Sequence, residues 1–390
     1  MKFDLGKQFV SGEFKIIHKD KEGNIKQELD WQPNMFLENG LKVLFNDANT
    51  PPYINDGNVA TENQRGTYVP QHLVIGTGNT IPAYNQIALA NATHITNYDE
   101  NTILNPEPPD NSSHQGYLKT SNQLKYTFSN FTDNYNITEI GLTSWRESSN
   151  NLQNYTLCTR ALIKDNTGTA IPITVLKGEV LIVYYKVNVY IDTRRKTGSF
   201  TLTDIDSNNR QTTHTFDYFI QPISLMKNSA YGAYKRHYIT QYRITSRGVL
   251  EADSELNSSY NLNDNVYNQI KYDDYTPLKQ KVASGNDKYS IIQNGTNIAD
   301  TNHARYESFN YNWANKTITM RIINGINTHN WDNGIRAFYL PIPINLPNTT
   351  NLSVYLQLVV VKNRANGQGI KKTNTKEWTV EWSYTIDKWD

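Results

Sequence analysis

Pro172-Ile-Thr-Val-Leu-Lys-Gly-Glu-Val-Leu-Ile-Val-Tyr-Tyr-Lys-Val-Asn-Val-Tyr-Ile191 decides the fold class. Within it Val183, Tyr185, Val187, Val189 and Ile191 fall on one face of a strand, and Tyr184, Lys186, Asn188 and Tyr190 on the other. β-Branched and aromatic residues dominate, as a half-buried pleated surface favours. Val180 to Ile191 would span about 40 Å, which is long for a globular strand. Upstream lie two more strand-like segments, Asn136-Ile-Thr-Glu-Ile-Gly-Leu142 and Thr159-Arg-Ala-Leu-Ile163. The reading is an all-β, mainly antiparallel chain.

Working outward, Phe14–His18 and Ile25–Leu29 read as a hairpin around Lys19-Asp-Lys-Glu-Gly-Asn24. In Phe36–Phe45, Leu37, Leu41, Leu44 and Phe45 recur at helical spacing, with Gly40 as a weakness. His72–Ile75 is a short buried strand running into Gly76-Thr-Gly-Asn-Thr80. The polar stretches 46–70 and 97–123 read as long loops, though Lys125–Phe128 is a strand. A second hairpin, Ser199–Thr203 and Thr212–Phe219, turns at Asp204-Ile-Asp-Ser-Asn-Asn209. A Tyr-rich polar middle from about Lys227 to Asn302 precedes strands at 317–323, 335–340, 352–362 and 377–387. In the last, Trp378, Val380, Trp382, Tyr384 and Ile386 face inward and Thr379, Glu381, Ser383, Thr385 and Asp387 face water.

The 390 residues suit two units of roughly 195 each. We expect two β-sandwich-like domains, 1–195 and 196–390, with long loops and at most a short helix near 35–45. The boundary falls at Arg194-Arg-Lys-Thr-Gly198, read as a solvated linker. Thr138-Glu-Ile-Gly-Leu142, Arg160-Ala-Leu162 and Pro172–Leu176 echo Thr317–Met320, Arg336–Phe338 and Pro343–Leu346. This fits either a duplicated fold or two β-domains sharing the same strand grammar.

Charged residues make up 19%, and the net charge is +1. That balance leaves no electrostatic footprint for nucleic acid or an anionic membrane. No apolar run reaches the length of a membrane span and no signal peptide is visible, so folding in a cytoplasm is expected. Cys158, the single cysteine, sits in a strand and excludes a disulfide framework and a thiolate metal site.

The chemical motifs are incomplete. Gly76-x-Gly78 lacks the third glycine of a dinucleotide fingerprint and the Gly-Lys-Ser/Thr of a P-loop, and reads as a tight turn. Asp204-x-Asp-x-Asn208 begins like a calcium loop but has Asn209 for glycine and Thr215 for glutamate, and reads as a hairpin turn. His18, His72, His94, His114, His214, His237, His303 and His329 show no metal-ligand spacing. No catalytic, cofactor or metal residue is assigned. Tyr231–Tyr238 and Thr328–Asn333 are aromatic stretches suited to subunit contacts or to sugar stacking.

These motifs, in order, resemble a family of tailed-bacteriophage structural proteins described as tail or tail-fibre proteins. The resemblance runs through Gly12–Ile16, Asp30-Trp-Gln-Pro-Asn-Met-Phe-Leu-Glu-Asn-Gly-Leu41, Leu73–Pro82 and Ala88-Leu89. It continues through Ile137–Leu142, Arg160–Ile163, Ile173–Tyr184, Asn333–Ala337, Tyr355–Val359 and Trp378–Trp389. It implies a tail-associated virion part, assembled in the bacterial cytoplasm. Its partners would be copies of itself and other tail or neck proteins, and it would carry no catalytic residues. The alternatives are an adhesin binding a host-surface glycan or receptor and, further off, a glycan hydrolase with paired carboxylates.

Overall fold

A computed structural model describes residues 1–45, 70–104, 117–144, 155–192, 196–205, 208–227, 306–324, 331–344, 353–367, 369–372 and 377–388. It also describes short strands at 53–55, 58–60, 235–237, 242–244, 250–252 and 291–293, and residues 152 and 194. The chain is mostly antiparallel β, as expected, with one helix among the described residues, α1 (Glu38–Leu44).

Eight strands form a ring: β1 (Lys2–Lys19), β2 (Ile25–Phe36), β3 (Pro70–Gly76), β4 (Ala92–Ile103), β5 (Tyr117–Phe128), β6 (Glu139–Ser144), β7 (Thr159–Leu162) and β8 (Val180–Asp192). Their order is β8-β5-β4-β3-β6-β7-β2-β1, and β1 pairs back onto β8, so the ring closes. Every neighbouring pair is antiparallel. The decisive strand β8 is the clasp. It runs against β1 from Phe9↔Tyr190 to Lys19↔Val180 and against β5 from Leu181↔Phe128 to Asp192↔Tyr117. Eight strands leave an interior just wide enough for side chains to fill. Phe14, Leu73, Tyr126, Leu142, Val183 and Tyr185 are all buried there. The Tyr185 hydroxyl donates to Thr159 Oγ1 at 2.9 Å, linking β8 to a strand three places away around the ring.

This arrangement revises three expectations. Residues 97–103 and 117–123 belong to β4 and β5 and not to a loop. Asn97, Asp99, Glu100 and Thr102 are exposed, and Ser121 and Asn122 put polar side chains in buried positions, so the apolar alternation is thin. Tyr185 and Tyr190 are buried within the chain, so the aromatic surface of β8 is largely hidden without a partner. The basic run after β8 is no free linker either. Arg194 Nε (2.8 Å) and Lys196 Nζ (2.9 Å) both pair with the buried Asp192 carboxylate.

Helix α1 follows β2 and packs on the barrel end through the buried Leu41 and Leu44. Gly40, a weakness by propensity, is required by packing: a Cβ there would lie 2.0 Å from the Cys158 carbonyl oxygen.

The chain continues as β9 (Lys196–Ile205), β10 (Gln211–Lys227), β11 (Tyr306–Asn312), β12 (Thr317–Asn324), β13 (Trp331–Ile344), β14 (Ser353–Asn363) and β15 (Trp378–Lys388). A second sheet has the order β9-β10-β14-β13, extended by the strand 291–293. The remaining three join the barrel sheet. β15 pairs in parallel with the first half of β1, Lys2↔Glu381 through Val10↔Lys388, and β12 and β11 follow it. Residues after 196 thus complete a sheet begun by residues before 195. The expected division at 195/196 is therefore not a sheet boundary. The echoing segments also differ in their neighbours: β12 pairs with the closing strand β15, whereas β6 lies between β3 and β7.

β1 serves both parts because it is 18 residues long and pairs with β15 along its first half and with β8 and β2 along its second. Its pairing with β15 shifts between Asp4 and Lys7, around Gly6 at φ +80°, a left-handed conformation natural to glycine. On β15, Val380, Trp382, Tyr384 and Ile386 are buried as expected, while the side chain of Trp378 lies outside the described residues. The opposite face is half-buried and not open to water. Lys2 covers Glu381 at 3.1 Å, and Lys7 and Lys316 cover Asp387 at 2.9 and 2.5 Å. The second sheet packs on this wing through an aromatic cluster. Phe3 of β1 meets Phe200 and Tyr218 edge-on, with ring centroids 5.9 and 5.1 Å apart.

Candidate functional site

The densest polar constellation among the described residues is an ion pair inside the barrel wall. Glu139 opens β6 and Arg160 lies on β7, and both side chains are 0% exposed. Glu139 Oε1 accepts the Gly78 N–H at 3.0 Å and the Asn91 N–H at 2.8 Å. Its Oε2 accepts the Ala90 N–H at 3.1 Å and Arg160 Nε at 2.9 Å, with Nη2 at 2.7 Å. The rest of the guanidinium donates to Gln86 Oε1 at 2.7 Å, Thr80 O at 2.9 Å and Thr80 Oγ1 at 3.0 Å. All of these partners lie on the segment 77–91 between β3 and β4.

This geometry explains the Gly76-Thr-Gly-Asn-Thr motif. A Cβ on Gly78 would sit 2.4 Å from Glu139 Oε1, and one on Gly76 would sit 2.4 Å from the Asn91 carbonyl oxygen. The backbone N–H groups are gathered around an anion, as in a phosphate loop, but the anion is the protein's own carboxylate. A buried pair with nearly every donor and acceptor satisfied holds the turn against the barrel; it offers no open position to a substrate.

A second buried cluster joins the β1–β2 hairpin to the start of β8. His18 Nε2 lies 2.8 Å from Glu179 Oε2, and Lys26 Nζ donates to Glu179 Oε1 at 2.6 Å. The Leu176 N–H also donates to Glu179 Oε2, at 2.8 Å. Burial alone would raise the Glu179 pKa. The Lys26 ammonium, the Leu176 N–H and His18 outweigh it and hold the carboxyl at about 2. His18 and Glu179 are 3% and 4% exposed, so this pair too is closed to a substrate.

Other sequence candidates take structural positions. His72 on β3 is buried, and desolvation lowers its pKa to about 4. His94 on β4 packs against Phe131 and Tyr135, each 4.7 Å between centroids. Cys158 is fully buried, which pushes its thiol well above the ordinary range, and its Sγ donates to Thr156 O at 3.5 Å. Asp204 pairs across the β9–β10 hairpin with Thr212, and Asn209 takes the turn at φ +59°. His114, Tyr231–Tyr234, Tyr238, His303 and Thr328–Asn330 lie outside the described residues, as do the side chains of His237 and Trp331. No group of three or more His, Cys, Asp or Glu that could hold a metal occurs among the described residues. No helix there is long and apolar enough to cross a membrane.

Comparison with family models, with curated proteins and with solved structures returns no match. The site must therefore be read on its own chemistry. Among the described residues of the barrel wall the one exposed aromatic is Trp31, which is 37% exposed, and the Lys186 ammonium covers its ring at 3.8 Å. That lysine occupies one ring face on which a sugar could stack.

Glu179 and His72 make the fold acid-sensitive in two windows. Both folded-state values lie below those of the unfolded chain, so each contribution is intact at higher pH and is lost on acidification. For His72 the loss runs from pH 6.5 to about 4, because the unfolded imidazole takes up a proton that the buried one refuses. For Glu179 it runs from pH 4.5 to about 2. Urea unfolding across pH 7 to 4 should show stability falling by roughly 2–3 kcal/mol through protonation of His72 in the unfolded chain. His72→Asn should make the upper window shallower, leaving the share of His94, whose pKa burial also lowers, and should spare the lower window. An unchanged slope between pH 6.5 and 4 in the variant would contradict the assignment.

Proposed function

We propose that this chain is a structural, non-enzymatic subunit of a bacteriophage virion, tail-associated and acting through protein–protein assembly. One observation carries the reading: its buried reactive groups are spent on holding strands together. Glu139, Arg160, His18, Glu179 and Asp192 sit in closed networks, and Cys158 is fully buried just before β7. Such a chain gains shape and rigidity from its polar groups, which is what a repeated building block needs. The ordered motifs that resemble tail proteins support the same reading, and several of them meet at one place. Leu73–Pro82, Ile137–Leu142 and Arg160–Ile163 converge on the Glu139–Arg160 pair.

In this reading the wing of β1, β15, β12 and β11 and the second sheet form a sandwich-like layer beside the barrel. Its partners are other copies and other tail or neck proteins. Receptor or glycan binding at the tail is the second reading, and the covered ring of Trp31 counts against the barrel wall as its seat.

The test is to label particles from the source with gold-conjugated antibody against the chain. Gold at one fixed position on intact particles is expected. Particles free of gold, with the chain confined to the soluble fraction, would contradict the reading.

A further inference from the structure

We propose that β9 is a self-pairing edge through which two copies of this chain join antiparallel about a two-fold axis at Phe200. The proposal rests on the reading of the chain as an assembling subunit and names the surface used.

Among the described residues β9 pairs only with β10, so its far edge carries a row of backbone donors and acceptors with no ladder partner. Proteins usually blunt such edges with a short strand, a proline, a bulge or central charges. At the other end of this sheet the edge is blunted, because the terminal strand there is only 291–293. β9 is ten residues long, holds its register with β10 without a shift, and runs Lys196-Thr-Gly-Ser-Phe-Thr-Leu-Thr-Asp-Ile205, with no proline anywhere and no charge from Thr197 to Thr203.

Burial along the strand alternates strictly, with the even-numbered residues half-buried and the odd-numbered ones exposed. Phe200 and Leu202 lie on the packed face yet remain half-buried, whereas Phe216 and Ile220 on β10 are 4% and 1% exposed. A further strand beside β9 would cover them.

The sequence says which strand fits. A two-fold axis at Phe200 sets Phe200 opposite Phe200, Ser199 opposite Thr201, Thr197 opposite Thr203 and Lys196 opposite Asp204. Parity is kept, so each face of the sheet continues across the junction. Lys196, which also pairs with Asp192 of its own chain, meets Asp204 of the other copy as opposite signs; no like charges are opposed, Ser and Thr face each other on the exposed side, and Gly198 meets Leu202 on the packed side. This self-complementarity is what an isologous interface requires. The two Phe200 rings would extend the cluster of Phe3, Phe216 and Tyr218.

The register makes a sharp test. Thr197→Cys and Thr203→Cys are prepared as separate full-length variants and mixed under mild oxidation. Opposed Cβ atoms lie about 5 Å apart, whereas 197 to its own copy is offset by six residues, about 20 Å. Disulfide dimers should form in the mixture and not in either variant alone. Ser199→Lys with Thr201→Lys, at two exposed positions, should abolish both the cross-link in the Cys background and self-association by light scattering. Ser199→Glu with Thr201→Lys should retain both. No cross-link in the mixture, or equal cross-linking within one variant, would overturn the edge. Oligomers that persist without the cross-link would overturn it too, while leaving the assembly reading intact. A chain that is monomeric in every assay and absent from particles would remove both.

Discussion

Glu139→Ala should destabilise the protein by about 3–5 kcal/mol, and Arg160→Ala by somewhat less, near the lower end of that range. The order follows from who is left behind. Without Glu139, a fully buried guanidinium keeps only neutral acceptors on Gln86 and Thr80. The N–H groups of Gly78, Ala90 and Asn91 lose their acceptor at the same time. Without Arg160, the carboxylate still holds those three N–H groups. The double variant should cost less than the sum, because the two losses share one network. Chemical denaturation of the four proteins checks this, and equal, additive effects would show that the pair does not act as a unit. Freed of its anchor, the turn 77–91 should also become a preferred site of limited proteolysis.

Trp382→Ala should cost a similar amount, about 3–5 kcal/mol, from lost burial and a residual cavity. Trp382 is fully buried, opposite Phe3 on β1 and Met320 on β12, at the point where the wing meets the aromatic cluster under the second sheet. Trp31→Ala is the matching control. That ring is partly exposed and carries a surface cation contact, so its loss should cost below about 1 kcal/mol. Similar costs for the two tryptophans would mean that the wing is not a packed layer.

Sequence periodicity identified what is local. The alternation in 180–191 and 380–386 marks faces that are indeed buried, and the helical spacing around Leu41 and Leu44 marks α1. Closure is not local. β1 and β8 pair across some 170 residues, and β1 and β15 across nearly the whole chain, while alternation records one buried face and not what covers it. A barrel wall and a sandwich sheet therefore look alike in sequence. β4 was lost for a different reason: Asn97, Asp99 and Glu100 face solvent, so the strand carries loop chemistry on its outer side. The Glu139–Arg160 pair did leave a trace. A single acid in Ile137–Leu142 and a single base in Thr159–Ile163 are expensive inside apolar strands unless they find each other. Which two would meet, and that Gly78 would close over them, required the fold.

The central claim is that β1 is a shared spine, carrying the barrel along its second half and β15 along its first. Hydrogen exchange on the intact chain tests it most directly. Amides in the Phe3–Gln8 segment should be protected alongside those of Val380–Ile386, and Trp382→Ala should release both segments while the Val183–Val189 amides of β8, paired with the rest of β1, stay slow. Rapid exchange over Phe3–Gln8 with Val380–Ile386 still protected would contradict the shared strand.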